Sequence, residues 1–396
     1  MGTQPQWITT PVTGDLLRGA LDLERTAQGV LPHRLPIRAR AQCSDPLFLL
    51  AECQPSGVRL VFRTRATFLE LDARPTKIAY AGFPSPPADG VYDLFVDGCP
   101  AGRGSIPGGN TLTIDMVAGT TEQQPGGPAG TLRFADLPDG AKDIEIWLPY
   151  NETTELIALR TDAPVEPAPQ SDRKVWLHHG SSISHGSDAA SSSTTWPATA
   201  AALAGVELIN LGLGGNALLD PFTARAIRDN PADLISLKIG INLVNHDLMR
   251  LRAFAPAVHG FLDTIRDGHP VTPLLVVSPL ACPIFEDTPG PLGIDLTALS
   301  TGQLRFRAVG DPADVTGGKL TLRIVRDELA RIVAQRAAKD PHLYYFDGLE
   351  LYGEPDSAEL PMPDNLHPGP AAHRHIGERF AKLAFAPSGP FSEHRG

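Results

Sequence analysis

Four short polar runs in this 396-residue sequence carry the residue types of acyl-group chemistry. The first is GSSISHG at 180–186. Small residues directly after a buried strand let the backbone turn sharply. A serine on such a turn projects its hydroxyl beside backbone N–H groups, so a nucleophile and an anion-stabilising environment arrive together. The run also fits an ordinary Ser/Gly turn, and it lacks the GxSxG spacing of an α/β-hydrolase elbow. The second run is DNLHP at 364–368. Asp364 and His367, three residues apart, can meet across one turn, with the carboxylate on one imidazole nitrogen and the other nitrogen facing a nucleophile. Pro368 fixes the backbone beyond them. The alternative is a helix start in which Asp364 or Asn365 caps the final helix and His367 is exposed. Between these runs lie NLGLGG (210–215) and GIN (240–242). Glycines permit close backbone approach and an asparagine amide offers two donors, which suits an oxyanion hole. Turn formation by Gly212, Gly214 and Gly215, and turn capping by Asn242, account for the same residues. NLGLGG falls short of the G-x-G-x-x-G pattern of dinucleotide sites. His178, His179 and His185 are close enough in sequence to suggest a zinc cluster, but hydrogen bonding behind the turn or solvent exposure is the preferred reading.

Something must hold these runs together, and the pattern around them supplies it. From residue 173 onward, expected strands at 173–180, 206–210, 233–240, 272–279 and 342–348 alternate with helical stretches at 196–205, 220–229, 251–268, 319–340 and 373–385. Such alternation implies βαβ units: a three-layer α/β/α domain around a mostly parallel sheet. The polar runs follow strands, and ligands of such sheets bind outside the carboxyl ends of strands. Residues 1–162 read differently. Strand candidates at 57–74, 91–98, 110–119, 130–138, 141–150 and 153–162 are separated by Gly/Pro-rich turns, as in a β-sandwich of jelly-roll type. Val61, Leu69 and Leu71 are expected on its inner face. The segment 163–172, with three prolines in APVEPAPQS, is the expected linker, which sets the domains at 1–162 and 173–396. Residues 280–318, rich in Gly and Pro, either cover the site as a lid, with Ile284, Phe285 and Leu292 lining an acyl pocket, or pack on the surface.

In their order, GSSISHG, NLGLGG, GIN and DNLHP resemble the four blocks of the SGNH, or GDSL-type, hydrolase superfamily. The resemblance spans about 173–385. It implies Ser182 as nucleophile, His367 as base, Asp364 as the acid that orients it, and an oxyanion hole built from the Ser182 N–H, Gly215 N–H and Asn242 side chain. Two positions depart from the family pattern: Ser181 stands where an aspartate often precedes the nucleophile, and Leu243 follows Asn242 where an aspartate is common. The layout and the phrase KDIEIWLP (142–149) are also similar to a two-domain group with an N-terminal β-sandwich, which includes an acyltransferase of aromatic-polyketide tailoring.

Composition narrows the remaining classes. Apolar residues make up 42% and charged residues 20%, a globular balance. The formal charge of −11 carries no basic stripe, which argues against nucleic acid as partner. No 18-residue apolar run suggests a membrane span. Four cysteines are too few for a disulfide scaffold and form no close zinc pair. The N-terminus has no secretory pattern, so a cytoplasmic location is the expectation. The expected activity is carboxylic-ester hydrolysis through an acyl-enzyme, on a short-chain or acetylated carbohydrate or natural-product ester. No metal or organic cofactor is implied. The alternatives are acyl transfer to a hydroxylated natural product, or a non-catalytic carbohydrate-binding protein on the same fold. Such a protein would leave Ser182 and His367 apart.

Overall fold

The structure, a computed structural model, describes residues 7–392 apart from 83–85, 116, 117, 119, 170, 300 and 301. Parts of the 110–119 strand, the 163–172 linker and the 280–318 segment expected above therefore lie outside the described residues. The chain divides into two units. One comprises the residues up to Ile37, Glu52–Asp172 and Ser191–Ser193; the other comprises Arg38–Ala51, Arg173–Ala190 and the chain from Thr194 onward.

The first unit is two sheets, one of eight strands and one of six. Strict alternation builds their shared core. Leu69, Leu71 and Ala73 of the Leu69–Tyr80 strand point inward from one sheet, and Leu60, Phe62, Ile144 and Ile146 from the other. Leu156 and Leu159 are both fully buried although three residues apart, a spacing that should send them to opposite faces. A bulge between Leu156 and Ala158 absorbs the extra residue and returns Leu159 to the core. Glu70, Asp72, Arg133 and Arg160 pair across strands on the opposite face.

Three details differ from the sequence reading. The expected strand at 57–74 is two strands, Arg59–Thr64 and Leu69–Tyr80, in different sheets. The corner between them is held by the Asp162 carboxylate, which accepts from Thr67 N–H (2.8 Å), Thr67 Oγ1 (2.7 Å) and Phe68 N–H (3.1 Å). Val61 is only half-buried, because the pleat turns Leu60 and Phe62 inward instead. The 163–172 segment also contributes a short strand, Val165–Pro167, paired with Arg59–Thr64.

In the second unit five parallel strands lie in the order Glu207–Gly212, Val175–Gly180, Leu234–Lys238, Leu274–Val277, Leu343–Phe346. Helices cover both faces. Trp176 stacks on Phe380 (centroids 5.0 Å apart), while His179, three residues on and facing the other way, stacks on Phe261 (5.9 Å). The chain order reverses between Val175–Gly180 and Leu234–Lys238. That switch point opens a crevice at the carboxyl ends of the strands. Arg38–Ala51 joins this unit through its helix, Pro46–Cys53, where Phe48 packs edge-on against Phe222 at 5.1 Å. The sequence reading assigned no helix there. No helix among the described residues is long and apolar enough to cross a membrane.

Candidate active site

The serine turn begins where the Val175–Gly180 strand ends. A Cβ at Gly180 would lie 2.3 Å from Ser184 Oγ, so only glycine lets the chain leave the strand here. Ser181 then caps the short Ser182–His185 helix, its Oγ accepting from Ile183 N–H at 3.4 Å. Serine is an effective N-cap, which gives Ser181 a structural use at this departure from the family pattern. Leu243, the other departure, is fully buried in the core. Ser182 is thus the first residue of a helix, where the N–H has no intrahelical acceptor.

A buried polar chain supports the turn from below. Ser184 Oγ meets His178 Nε2 at 2.8 Å, His178 Nδ1 meets Ser236 Oγ at 2.7 Å, and Trp176 Nε1 donates to Ser236 Oγ at 2.8 Å. Burial holds the His178 imidazole neutral by pushing its pKa well below the ordinary value. His179 Nδ1 meets the Leu211 carbonyl, and His185 Nδ1 accepts from Gly214 N–H. The three histidines therefore face different partners, in keeping with hydrogen-bonding roles.

His367 reaches the serine from a loop 185 residues away: Nε2 lies 2.8 Å from Ser182 Oγ, and Nδ1 lies 2.6 Å from Asp364 Oδ2. An ionised carboxylate only accepts, so Nδ1 carries the proton and Nε2 offers its lone pair to the serine hydroxyl. The other carboxylate oxygen, Oδ1, accepts from the backbone N–H groups of Leu366 (2.8 Å) and His367 (2.7 Å), which fixes the turn. Burial pushes the Asp364 carboxyl up, but the His367 hydrogen bond and charge together with these two N–H groups outweigh it, and its pKa falls below the ordinary value. The final helix, Pro370–Ala384, is preceded by Gly369 at its N-cap, so neither Asp364 nor Asn365 serves as that cap.

Residues 280–318 contribute a brace to this loop. Phe306 N–H donates to the Asp364 carbonyl (2.9 Å), Asn365 Nδ2 donates to the Phe306 carbonyl (3.1 Å), and the Phe306 ring stands edge-on to the imidazole at 6.2 Å. Phe306 escaped the sequence reading because nothing local marks it. Of the residues expected to line an acyl pocket, Phe285 is instead fully buried, and Ile284 and Leu292 are half-buried.

Gly212 packs so closely on the serine helix that a Cβ would lie 2.3 Å from His185 N. Asn210 ties the same two segments, donating to the Ser184 carbonyl and accepting from Gly212 N–H. Gly215 has φ +70°, a left-handed conformation that favours glycine, and its carbonyl accepts from His246 Nε2 at 3.0 Å. Asn242 Oδ1 accepts from Ala217 N–H at 3.1 Å, so the amide orientation is set and the NH2 end faces away from that bond. Among the described residues, the Ser182 N–H, the Gly215 N–H and Asn242 Nδ2 have no hydrogen-bond partner. Asp188 completes the setting. One of its carboxylate oxygens lies within 4.8 Å of ligating atoms of both Asp364 and His367. Its backbone is left-handed at φ +64°. Its side chain keeps solvent contact, yet the protein around it raises its pKa, with Asp364 adding to the rise and His367 opposing it.

Residues 179–375 match the GDSL-like Lipase/Acylhydrolase family. The α/β unit of this chain belongs to the SGNH/GDSL hydrolase superfamily. No curated protein sequence matches the chain. Among solved structures, the salicylyl-acyltransferase SsfX3 of a tetracycline biosynthetic pathway is 27% identical, with a TM-score of 0.75, and the match covers 94% of this chain and 95% of that one. A Bacteroides ovatus protein described as a GDSL-like lipase is 18% identical, with a TM-score of 0.65 and coverage of 95% and 96%. A family two carbohydrate esterase from Clostridium thermocellum, solved with cellohexaose, is 13% identical, with a TM-score of 0.54 and coverage of 82% and 91%. These last two share the fold. Hydrolysis or acyl transfer on an ester is the activity class of this chain.

Proposed function

We propose that the chain forms an acyl-enzyme on Ser182 and passes the acyl group to a hydroxylated acceptor. The observation that carries the chemistry is the unbroken hydrogen-bond line from Asp364 through His367 to the Ser182 hydroxyl. Ser182 Oγ attacks the donor carbonyl as its proton moves to His367 Nε2, and Asp364 steadies the imidazolium. The carbonyl oxygen, now negative, is received by the Ser182 N–H, the Gly215 N–H and Asn242 Nδ2. Collapse expels the leaving group with the proton from His367. An acceptor hydroxyl then attacks the acyl-serine, gives its proton to His367, and the second collapse returns a proton to Ser182. Water in the acceptor's place would make the same cycle a hydrolysis.

Transfer is placed ahead of the hydrolysis expected from sequence because the 27%-identical acyltransferase matches nearly the whole chain, sandwich included. Hydrolysis is the second reading, supported by the family match over 179–375. Product analysis by mass spectrometry separates them: acyl thioester and nitrophenyl ester donors are supplied with and without polyhydroxylated acceptors. Acylated acceptor formed faster than free acid, and lost in Ser182→Ala, is the expected result. Free acid as the main product with every donor and acceptor would leave only the hydrolase. A fluorophosphonate probe that still labels Ser182→Ala would remove the assigned nucleophile from both readings.

A further inference from the structure

A second cluster of reactive side chains lies inside the first unit, away from any residue used above. The strand Val30–His33 and the last two residues of the Pro46–Cys53 helix bring His33, Glu52 and Cys53 together. An imidazole nitrogen, a carboxylate oxygen and the thiol sulfur all lie within 4.8 Å of one another. All three residues are buried, at 4%, 1% and 8% exposure. The Arg34 N–H donates to the Glu52 carbonyl at 3.2 Å and fixes the spacing of the two segments. His33 Nδ1 lies 2.7 Å from Glu52 Oε1, and His33 Nε2 lies 3.2 Å from Glu24 Oε2.

What this arrangement leaves unexplained is Glu52 Oε2, which is buried without a hydrogen-bond partner. An orphaned carboxylate oxygen is costly in a low-dielectric interior and marks the place of an unseen water or ion. We propose that His33, Glu52 and Cys53 form a divalent-cation site in the β-sandwich, with zinc the ion that its mixed N, O and S donors fit. The chemistry agrees on three counts. Zinc takes imidazole, carboxylate and thiolate together, at ~2.0–2.3 Å, which sets ligand atoms somewhat over 3 Å apart in a tetrahedron. A ligating histidine ordinarily donates its other N–H to a carboxylate, and Glu24 stands at His33 Nε2 for that purpose. Charge also balances: Glu24, Glu52 and a Cys53 thiolate carry three negative charges, and the fully buried Arg34 beside Glu52 and Cys53 carries one positive. Two charges are left for the cation. On binding, the metal replaces the proton shared by His33 Nδ1 and Glu52 Oε1, and the Cys53 thiol proton is released to solvent. Water would take the fourth position.

The test uses the full chain, stripped with a chelator, with circular dichroism as the folding control. Titration with Co2+ should give a near-ultraviolet thiolate-to-cobalt charge-transfer band that saturates at one equivalent and is displaced by Zn2+. Cys53→Ser should abolish the band. Glu24→Gln, which leaves all three ligands in place, should weaken Zn2+ binding by about 10–100-fold in a chromophoric competition assay. No band in the natural chain would overturn the proposal and assign the orphan oxygen to a water. A band that persists in Cys53→Ser, or Zn2+ bound equally well by His33→Gln, would place the ion at other residues and overturn it too. If Cys53→Ser fails to fold, Glu24→Gln and His33→Gln still decide.

Discussion

Each unit buries an ionisable side chain that burial pushes toward its neutral form, a carboxyl in one and an ammonium in the other. In the sandwich it is Glu152, fully buried, accepting from Gly90 N–H at 3.0 Å and Tyr92 Oη at 3.4 Å. Burial raises its carboxyl to about 7 against these bonds and the nearby Lys77. In the α/β unit it is Lys238, at the end of a central strand and 1% exposed. Burial lowers its ammonium to about 8, with only the Cys282 thiol opposing. Glu152 and Lys238 should therefore contribute to the pH dependence of stability in opposite directions. A second contrast is just as instructive. The sandwich locks polar groups such as Glu70, Asp72 and Arg160 into cross-strand pairs. The α/β unit leaves three donors open at the carboxyl ends of its strands. Open donors are costly to a fold and useful to a reaction, which supports the oxyanion hole proposed above.

The strongest way to break that division of labour is Ser182→Ala. Turnover should fall by on the order of 10⁴–10⁶-fold with the melting temperature unchanged, whereas Glu152→Gln should change stability and leave turnover nearly intact. Steady-state rates and melting curves of both variants check this; a large rate loss in Glu152→Gln would draw the sandwich into the chemistry. Next in size is Asn242→Ala. Removal of one open donor should lower kcat by about 10²–10³-fold, or ~3–4 kcal/mol, with KM little changed. A fall confined to KM would make Asn242 a binding residue.

The buried pair sharpens the comparison through stability. A lysine whose folded pKa is depressed to about 8 costs most below pH 8, and the cost vanishes by pH 10.5. Lys238→Met should therefore stabilise the α/β unit by up to about 3 kcal/mol at pH 7, and the gap to the natural chain should close as pH approaches 10.5. A carboxyl raised to about 7 behaves in the mirror sense: its cost is absent below pH 4.5 and complete above pH 7. Glu152→Gln should match the natural chain at pH 4.5 and exceed it above pH 7 by a similar amount. Denaturant unfolding across pH 4.5–10.5 reads both, and parallel slopes would dissolve the contrast. The smallest effect belongs to Asp188→Asn. Loss of a negative charge beside His367 should move the acid limb of the kcat/KM profile to lower pH, an effect kept small because Asp188 is open to solvent. An unmoved limb would leave Asp188 without electrostatic influence on the imidazole.

Sequence alone determined the local parts of this protein. Asp364 and His367 are three residues apart, and a single turn is enough to join them, as the 2.6 Å bond between them reflects. Alternation marked Leu69 and Leu71 as inward-facing, and the strand–helix rhythm after residue 173 announced a parallel sheet covered on both faces. Other features depended on contacts between distant segments. The strand break at 65–68 is made by Asp162, about 95 residues later in the chain. Val61 lost its place in the core to Leu60 and Phe62 because the register of the whole sheet sets which face is inner. Phe306 became a brace for the Asp364 loop, Asp188 a neighbour of His367, and Arg38–Ala51 part of the α/β unit, with no periodicity or motif to signal any of them. The 2.8 Å approach of Ser182 to His367 across 185 residues is of the same kind. Backbone geometry fixes what residues within one turn can reach. Contacts between distant segments form only when the burial of side chains from both has closed the sheet and its helices around them, and that outcome is decided by the packed tertiary structure.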